Sequence, residues 1–108
     1  MPRLSKREQR LGLDLPVEVS GQDSSGASFK EATHSLNVSG GGICFESRRK
    51  IQPGSRLMLK VRLPPGLRRH FGGASIYRAR AVVCRFEHRE GQPAARVGAR
   101  FLGSLADE

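Results

Sequence analysis

Apolar and polar positions alternate in short runs along most of the chain, and no stretch carries an apolar stripe at the helical period. Leu13, Leu15, Val17 and Val19 fall on every second position, which predicts a strand over 13–19, at an edge or irregular because it contains Pro16. Gly, Ser, Asp and Ala cluster over 21–28 and predict a turn into a second strand at 29–38, where Ala32, His34, Leu36 and Val38 share one phase. Three successive glycines, Gly40 to Gly42, mark a sharp turn or a close backbone approach before a short strand at 43–46. Leu57, Leu59, Val61 and Leu63 alternate with Met58, Lys60 and Arg62 in the clearest strand of the chain, bounded by Pro53-Gly54 and Pro64-Pro65-Gly66. A basic loop over 67–75 leads to a long strand at 76–87, whose continuous apolar centre from Ala81 to Cys84 predicts a bulge. A last strand carries Val97, Ala99 and Phe101.

Six strands at short intervals predict an all-β fold, an antiparallel barrel or sandwich with at most a short terminal helix. A length of 108 residues fits one domain with one modest core. No run approaches the roughly 18 apolar residues of a membrane span, and the basic N-terminus is not followed by the apolar segment of a secretory signal, so a cytoplasmic protein without membrane insertion is expected. Cys44 and Cys84 lie in apolar runs and are expected as reduced core thiols.

Charge narrows the function. With 19 Lys and Arg against 10 Asp and Glu, the net charge of +9 calls for an anionic partner. Arg3, Lys6, Arg7 and Arg10 crowd the first ten residues, and Arg48, Arg49 and Lys50 form a second cluster. Enzymatic chemistry finds little support. His34, His70 and His88 are scattered, and no HExxH, CxxC, GxSxG or phosphate-loop spacing occurs, so neither a catalytic centre nor a metal or cofactor site is expected.

A basic arm ending in Lys6-Arg7-Glu8-Gln9-Arg10, then Leu11-Gly12-Leu13-Asp14-Leu15-Pro16-Val17, then Asn37-x-Ser39-x-x-Gly42, and finally Ala79-Arg80-Ala81-Val82-Val83 with Arg96-Val97-Gly98-Ala99-Arg100-Phe101, resembles the PilZ domain family over nearly the whole chain. The resemblance implies a six-stranded antiparallel PilZ-like β-barrel over 13–103, a flexible basic arm over 1–12 and a C-terminal tail over 104–108. It also implies a receptor for cyclic di-GMP, a bacterial second messenger, that signals to a downstream effector protein. The implied ligand-binding residues are Lys6, Arg7, Arg10, Asn37, Ser39 and Gly42. Guanidinium groups suit this ligand because their planar fork bridges phosphate oxygens, pairs with guanine O6 and N7, and stacks on bases.

The arm departs from the family's RxxxR: the residue four before Arg10 is Lys6, Arg7 is three before it, and a literal RxxxR exists only from Arg3 to Arg7. Arg7 with Arg10 is the preferred register, since a lysine cannot reproduce the bidentate fork. Two alternatives stand beside the receptor: a degenerate PilZ domain serving as a protein-interaction module, and a small basic barrel for single-stranded nucleic acid. The second alternative lacks exposed aromatics, because Phe45 and Phe101 fall in the apolar phase.

Overall fold

Strand pairing accounts for almost every alternating run of the sequence. The computed structural model describes residues 13–104 and contains β1 (Pro16–Gln22), β2 (Ser28–Val38), β3 (Gly42–Ser47), β4 (Arg56–Arg62), β5 (Ile76–Glu87) and β6 (Ala95–Ser104). They form a closed antiparallel barrel in the order β1-β2-β3-β6-β5-β4, with β4 pairing back onto β1. Closure leaves no edge strand among the described residues. Pro16 is instead accommodated as the first residue of β1, where it faces His34 of β2 and lies just before the first residue paired with β4, Val17. The arm expected over 1–12 and the last four residues lie outside the described residues.

Inward-facing side chains of all six strands fill the interior. Val17, Val19, Phe29, Val38, Ile43, Phe45, Leu57, Leu59, Val61, Val83, Val97 and Ala99 are buried there, with Ile51 and Leu63 from the connections. Phe45 is wholly inaccessible, and burying such a side chain contributes about 2–3 kcal/mol. Phe101 is only half-buried and packs edge-on against Tyr77, which in turn lies against Phe71. This partial burial raises the Tyr77 phenol above its ordinary pKa by desolvation.

Register shifts interrupt the ladders in three places, one of them opposite Arg80 and Ala81 of β5, where Leu102 of β6 is the extra residue. On β2, Ser35 faces Phe45 but Asn37 faces Cys44, so Leu36 is an extra residue and the inward phase changes there. Phe29 and Ser35 point inward before the bulge and Val38 after it, while Ala32 is exposed, so the single phase expected for Ala32 through Val38 does not hold. On β5 the expected bulge is present: Val83 faces Ala99 and Arg85 faces Gly98, so Cys84 is the extra residue and both it and Arg85 stand exposed. The two cysteines form no disulfide, and neither belongs to the buried core: Cys44 is half-buried. The helical segment among the described residues is internal rather than terminal, a 3-10 helix at Pro65–Phe71 in the stretch expected as a loop. Pro64 and Pro65 start it, and Gly72, at φ 75°, ends it in the left-handed region.

The approach to β1 is fixed by one buried hydroxyl. Ser35 Oγ accepts from the Leu15 amide at 3.0 Å and donates to the Leu13 carbonyl at 2.5 Å, while the Ser35 amide donates to the Leu15 carbonyl at 2.8 Å. The strand pattern predicted from Leu13 therefore begins as a segment held by a side chain, and ladder pairing starts only at Pro16. Ser35→Ala leaves a buried amide and a carbonyl without their partner. We expect it to lower stability by about 1–3 kcal/mol in urea unfolding, against under about 0.5 kcal/mol for exposed Ser28→Ala.

Candidate functional site

Antiparallel order brings distant segments to one end of the barrel. Residues 13–15, the turn between β2 and β3, the 3-10 helix and the end of β6 share that end, whereas Arg48, Arg49 and Lys50 lie in a connection at the other. Arg49 is already engaged there: its guanidinium lies 5.3 Å from the centre of the Phe29 ring and 4.0 Å from Asp23. Asp23 is held below its ordinary pKa mainly by the Ser25 hydroxyl.

Beside the β2–β3 turn, the outer wall of the barrel carries a cleft of about 420 Å3, within the roughly 300–1,000 Å3 of small-molecule sites. Its floor follows strand register. Asn37, Cys44, Gly98 and Arg85 form one row across β2, β3, β6 and β5, and Gly42 and Arg100 begin the next. Two glycines keep the floor low. The exposed thiol of Cys84 joins Arg85 on the far wall.

The three motif residues of the turn all line this cleft, in different capacities. Asn37 presents a half-buried amide side chain that makes no hydrogen bond to any described residue. Ser39 turns its hydroxyl back on the turn: Oγ accepts from the Gly41 and Gly42 amides, each at 3.2 Å, and the Ser39 amide donates to the Gly42 carbonyl at 2.9 Å. Gly42 is required by the sheet, since a Cβ there would stand 2.6 Å from the Ala99 carbonyl oxygen on β6. Lys6, Arg7 and Arg10, with Arg3, lie outside the described residues.

Sequence reading overlooked two cleft arginines. Arg85 lies across Gly98, with the position of a Gly98 Cβ 3.7–3.8 Å from its Cβ and guanidinium nitrogens, and its Nε is 3.8 Å from Glu87. Arg100 is exposed and has no ion pair with any described residue. Both look in sequence like ordinary solvated positions of alternating strands; only the row they share with Asn37 and Gly42 distinguishes them. Phe71, in the connection between β4 and β5, packs its ring against Tyr77. Among the described residues there is no cluster of three or more His, Cys, Asp or Glu suited to a metal, and no helix long and apolar enough to cross a membrane.

A small closed barrel with a cationic cleft beside a glycine-rich turn is thus the class that fold and site define. Comparison with protein families matches the PilZ domain over residues 4–108, and the chain belongs to that family. Three solved structures share the fold. The inhibitor of motility of Bacillus subtilis (MotI/DgrA) aligns over 99% of this chain with a TM-score of 0.68 and 24% identity. The PilZ domain of YcgR from Escherichia coli, whose structure contains c-di-GMP, aligns over 91% with a TM-score of 0.58 and 16% identity, covering 78% of that chain. The PilZ domain of CeSA from a cellulose-synthesizing bacterium aligns over 93% with a TM-score of 0.58 and 16% identity, covering 86% of that chain. The present chain spans 47% of the MotI chain. No curated protein matches the sequence.

The geometry separates two glycines that look alike in sequence. Gly42→Ala forces β3 away from β6 and is expected to lower stability by roughly 1–3 kcal/mol, whereas Gly40→Ala, with nothing within 4 Å of the new Cβ, should change it by under about 0.5 kcal/mol. Urea unfolding of the two variants measures the difference.

Proposed function

We propose that this PilZ domain is a cytoplasmic receptor for cyclic di-GMP, without catalytic activity, that passes the signal to an effector protein. The observation that carries the reading is the convergence of Asn37, Arg85 and Arg100 around a floor of small residues beside the motif turn. A ligand with two phosphates and two guanines needs separated cations and a hydrogen-bonding partner for a base edge, and this cleft supports both demands. Arg100 supplies a charge with no competing carboxylate among the described residues. Arg85 offers a guanidinium plane for stacking or phosphate contact. The amide of Asn37 reads a guanine edge.

In this reading Ser39 and Gly42 build the turn rather than touch the ligand with their side chains. The arm supplies the remaining cations: Arg7 and Arg10, with Lys6 beside them, close over the bound dianion. The segment at 13–15, fixed by Ser35, roots the arm at the same end of the barrel as the turn. Closure of the arm orders a charged segment and presents a new surface to the effector.

One observation favours a second reading, a ligand-free interaction module. The internal duties of Ser39 and Gly42 give those two motif residues a reason to be present even without a ligand.

Isothermal titration of cyclic di-GMP at physiological salt, with GMP as the control, decides between the readings. Selective, saturable binding is expected, with Arg10→Ala and Arg100→Ala each weakening it by about 10- to 100-fold, the loss of a charge-assisted hydrogen bond of about 1.5–3 kcal/mol. Absence of heat from the folded protein would discard the receptor in favour of the interaction module.

A further inference from the structure

The outer face of β4, β5 and β6 is charged with one sign. β4 presents Arg56, Met58, Lys60 and Arg62 outward, and β5 presents Arg78 and Arg80 beside them. No Asp or Glu occurs in β4 or β6, and β5 has only Glu87 at its far end. Lys60 is neutralised by Glu18 of β1 at 3.5 Å, but Arg56, Arg62, Arg78 and Arg80 have no ion pair with any described residue. Like charges are also held close by register, because Lys60 faces Arg78 directly.

Apolar groups interrupt this field at its centre. Met58, 45% exposed, and Leu102, 41% exposed, are the large exposed hydrophobics among the described residues. Met58 faces Arg80, and Arg80 faces Gly103 next to Leu102, so the two flank one arginine on the same face. A solvated surface gains nothing from exposing both apolar groups amid unpaired arginines, whereas interface centres are enriched in Met and Arg and depleted in Lys.

We infer that the β4–β5–β6 face docks an acidic protein segment that places apolar side chains on Met58 and Leu102 and carboxylates on Arg56, Arg78 and Arg80. Charge complementarity selects this occupant over a second copy of the chain, which would oppose arginines to arginines. Arginine forks pair bidentately with carboxylates. Single-stranded nucleic acid fits less well, because the face offers no exposed aromatic on which bases stack. A membrane surface fits less well too, because the chain has no Trp and its one Tyr, Tyr77, packs against Phe71 and Phe101 instead of standing free as an interfacial anchor. The inference stands apart from the cleft: it concerns another part of the wall and holds with or without a cyclic dinucleotide.

The test uses the full chain, isotope-labelled for amide NMR, titrated with an acetylated dodecapeptide of glutamate with leucine at every third position. An all-glutamate peptide, an oligothymidylate and phosphatidylserine vesicles serve as competing probes. Shifts should concentrate on 56–62, 76–81 and 101–103, with roughly tenfold weaker binding for Arg80→Glu and about threefold for Met58→Ser or for the all-glutamate peptide. A charge-matched Arg48→Glu variant, in the β3–β4 connection and outside the outward row of β4, should bind as the parent does. Shifts centred on other residues, equal weakening by Arg48→Glu, or tighter binding of the oligonucleotide or the vesicles would each overturn the inference.

Discussion

A single serine hydroxyl, buried beneath the rim of the barrel, fixes where the chain enters the fold. Ser35 lies one residue before the bulge of β2, and its bonds to Leu13 and Leu15 tie the approach to β1 alongside the strand that ends in the glycine-rich turn. The bulge then redirects the chain, so that Asn37 faces outward in register with Cys44 while Val38 returns to the core. An extended chain alone would leave the start of β1 undefined. Satisfying one amide and one carbonyl away from water makes that point specific, because a buried polar group without a partner is costly.

The cleft follows from the same economy of small residues. β3 and β6 approach closely because Gly42 has no side chain to meet the Ala99 carbonyl, and Gly98 in the neighbouring row leaves room for Arg85 to lie across the sheet. The depression is therefore a consequence of strand packing as much as a provision for a ligand. Ser39 belongs to this framework, holding two amides of the turn through its hydroxyl. The groups left with chemistry to offer are those without duties in the fold: the Asn37 amide and the Arg100 guanidinium.

Positive charge is distributed among three places with different surroundings. At the far end, Arg49 stacks on Phe29 and approaches Asp23, a local role that needs no partner molecule. In the cleft, two arginines stand beside backbone and small side chains. On the β4–β5–β6 face, arginines surround exposed methionine and leucine with no carboxylate among them. An excess of nine positive charges thus has more than one physical meaning in a single small domain.

By itself the sequence determined the class of fold, because side chains of a strand alternate with a period of two and four of the six runs, at β1, β4, β5 and β6, show that period or its interruption. It also determined the place of the turn and the β5 bulge, since Gly and a continuous apolar run are local signals. Other features were settled only in three dimensions. The phase of β2 changes at Leu36, where no Gly or Pro marks the site, and the β5 bulge leaves both Cys84 and Arg85 on the outer face. The helical turn at Pro65–Phe71 buries Leu67 and Phe71 only partly and carries too short a pattern to register as a helix. Closure of β4 onto β1, and with it the absence of an edge at Pro16, depends on pairing between segments some forty residues apart. Arg85 and Arg100 acquire meaning for the same reason: one row across four strands joins Asn37 to Arg85, the next joins Gly42 to Arg100, and only hydrogen-bond register between strands places them around one cleft.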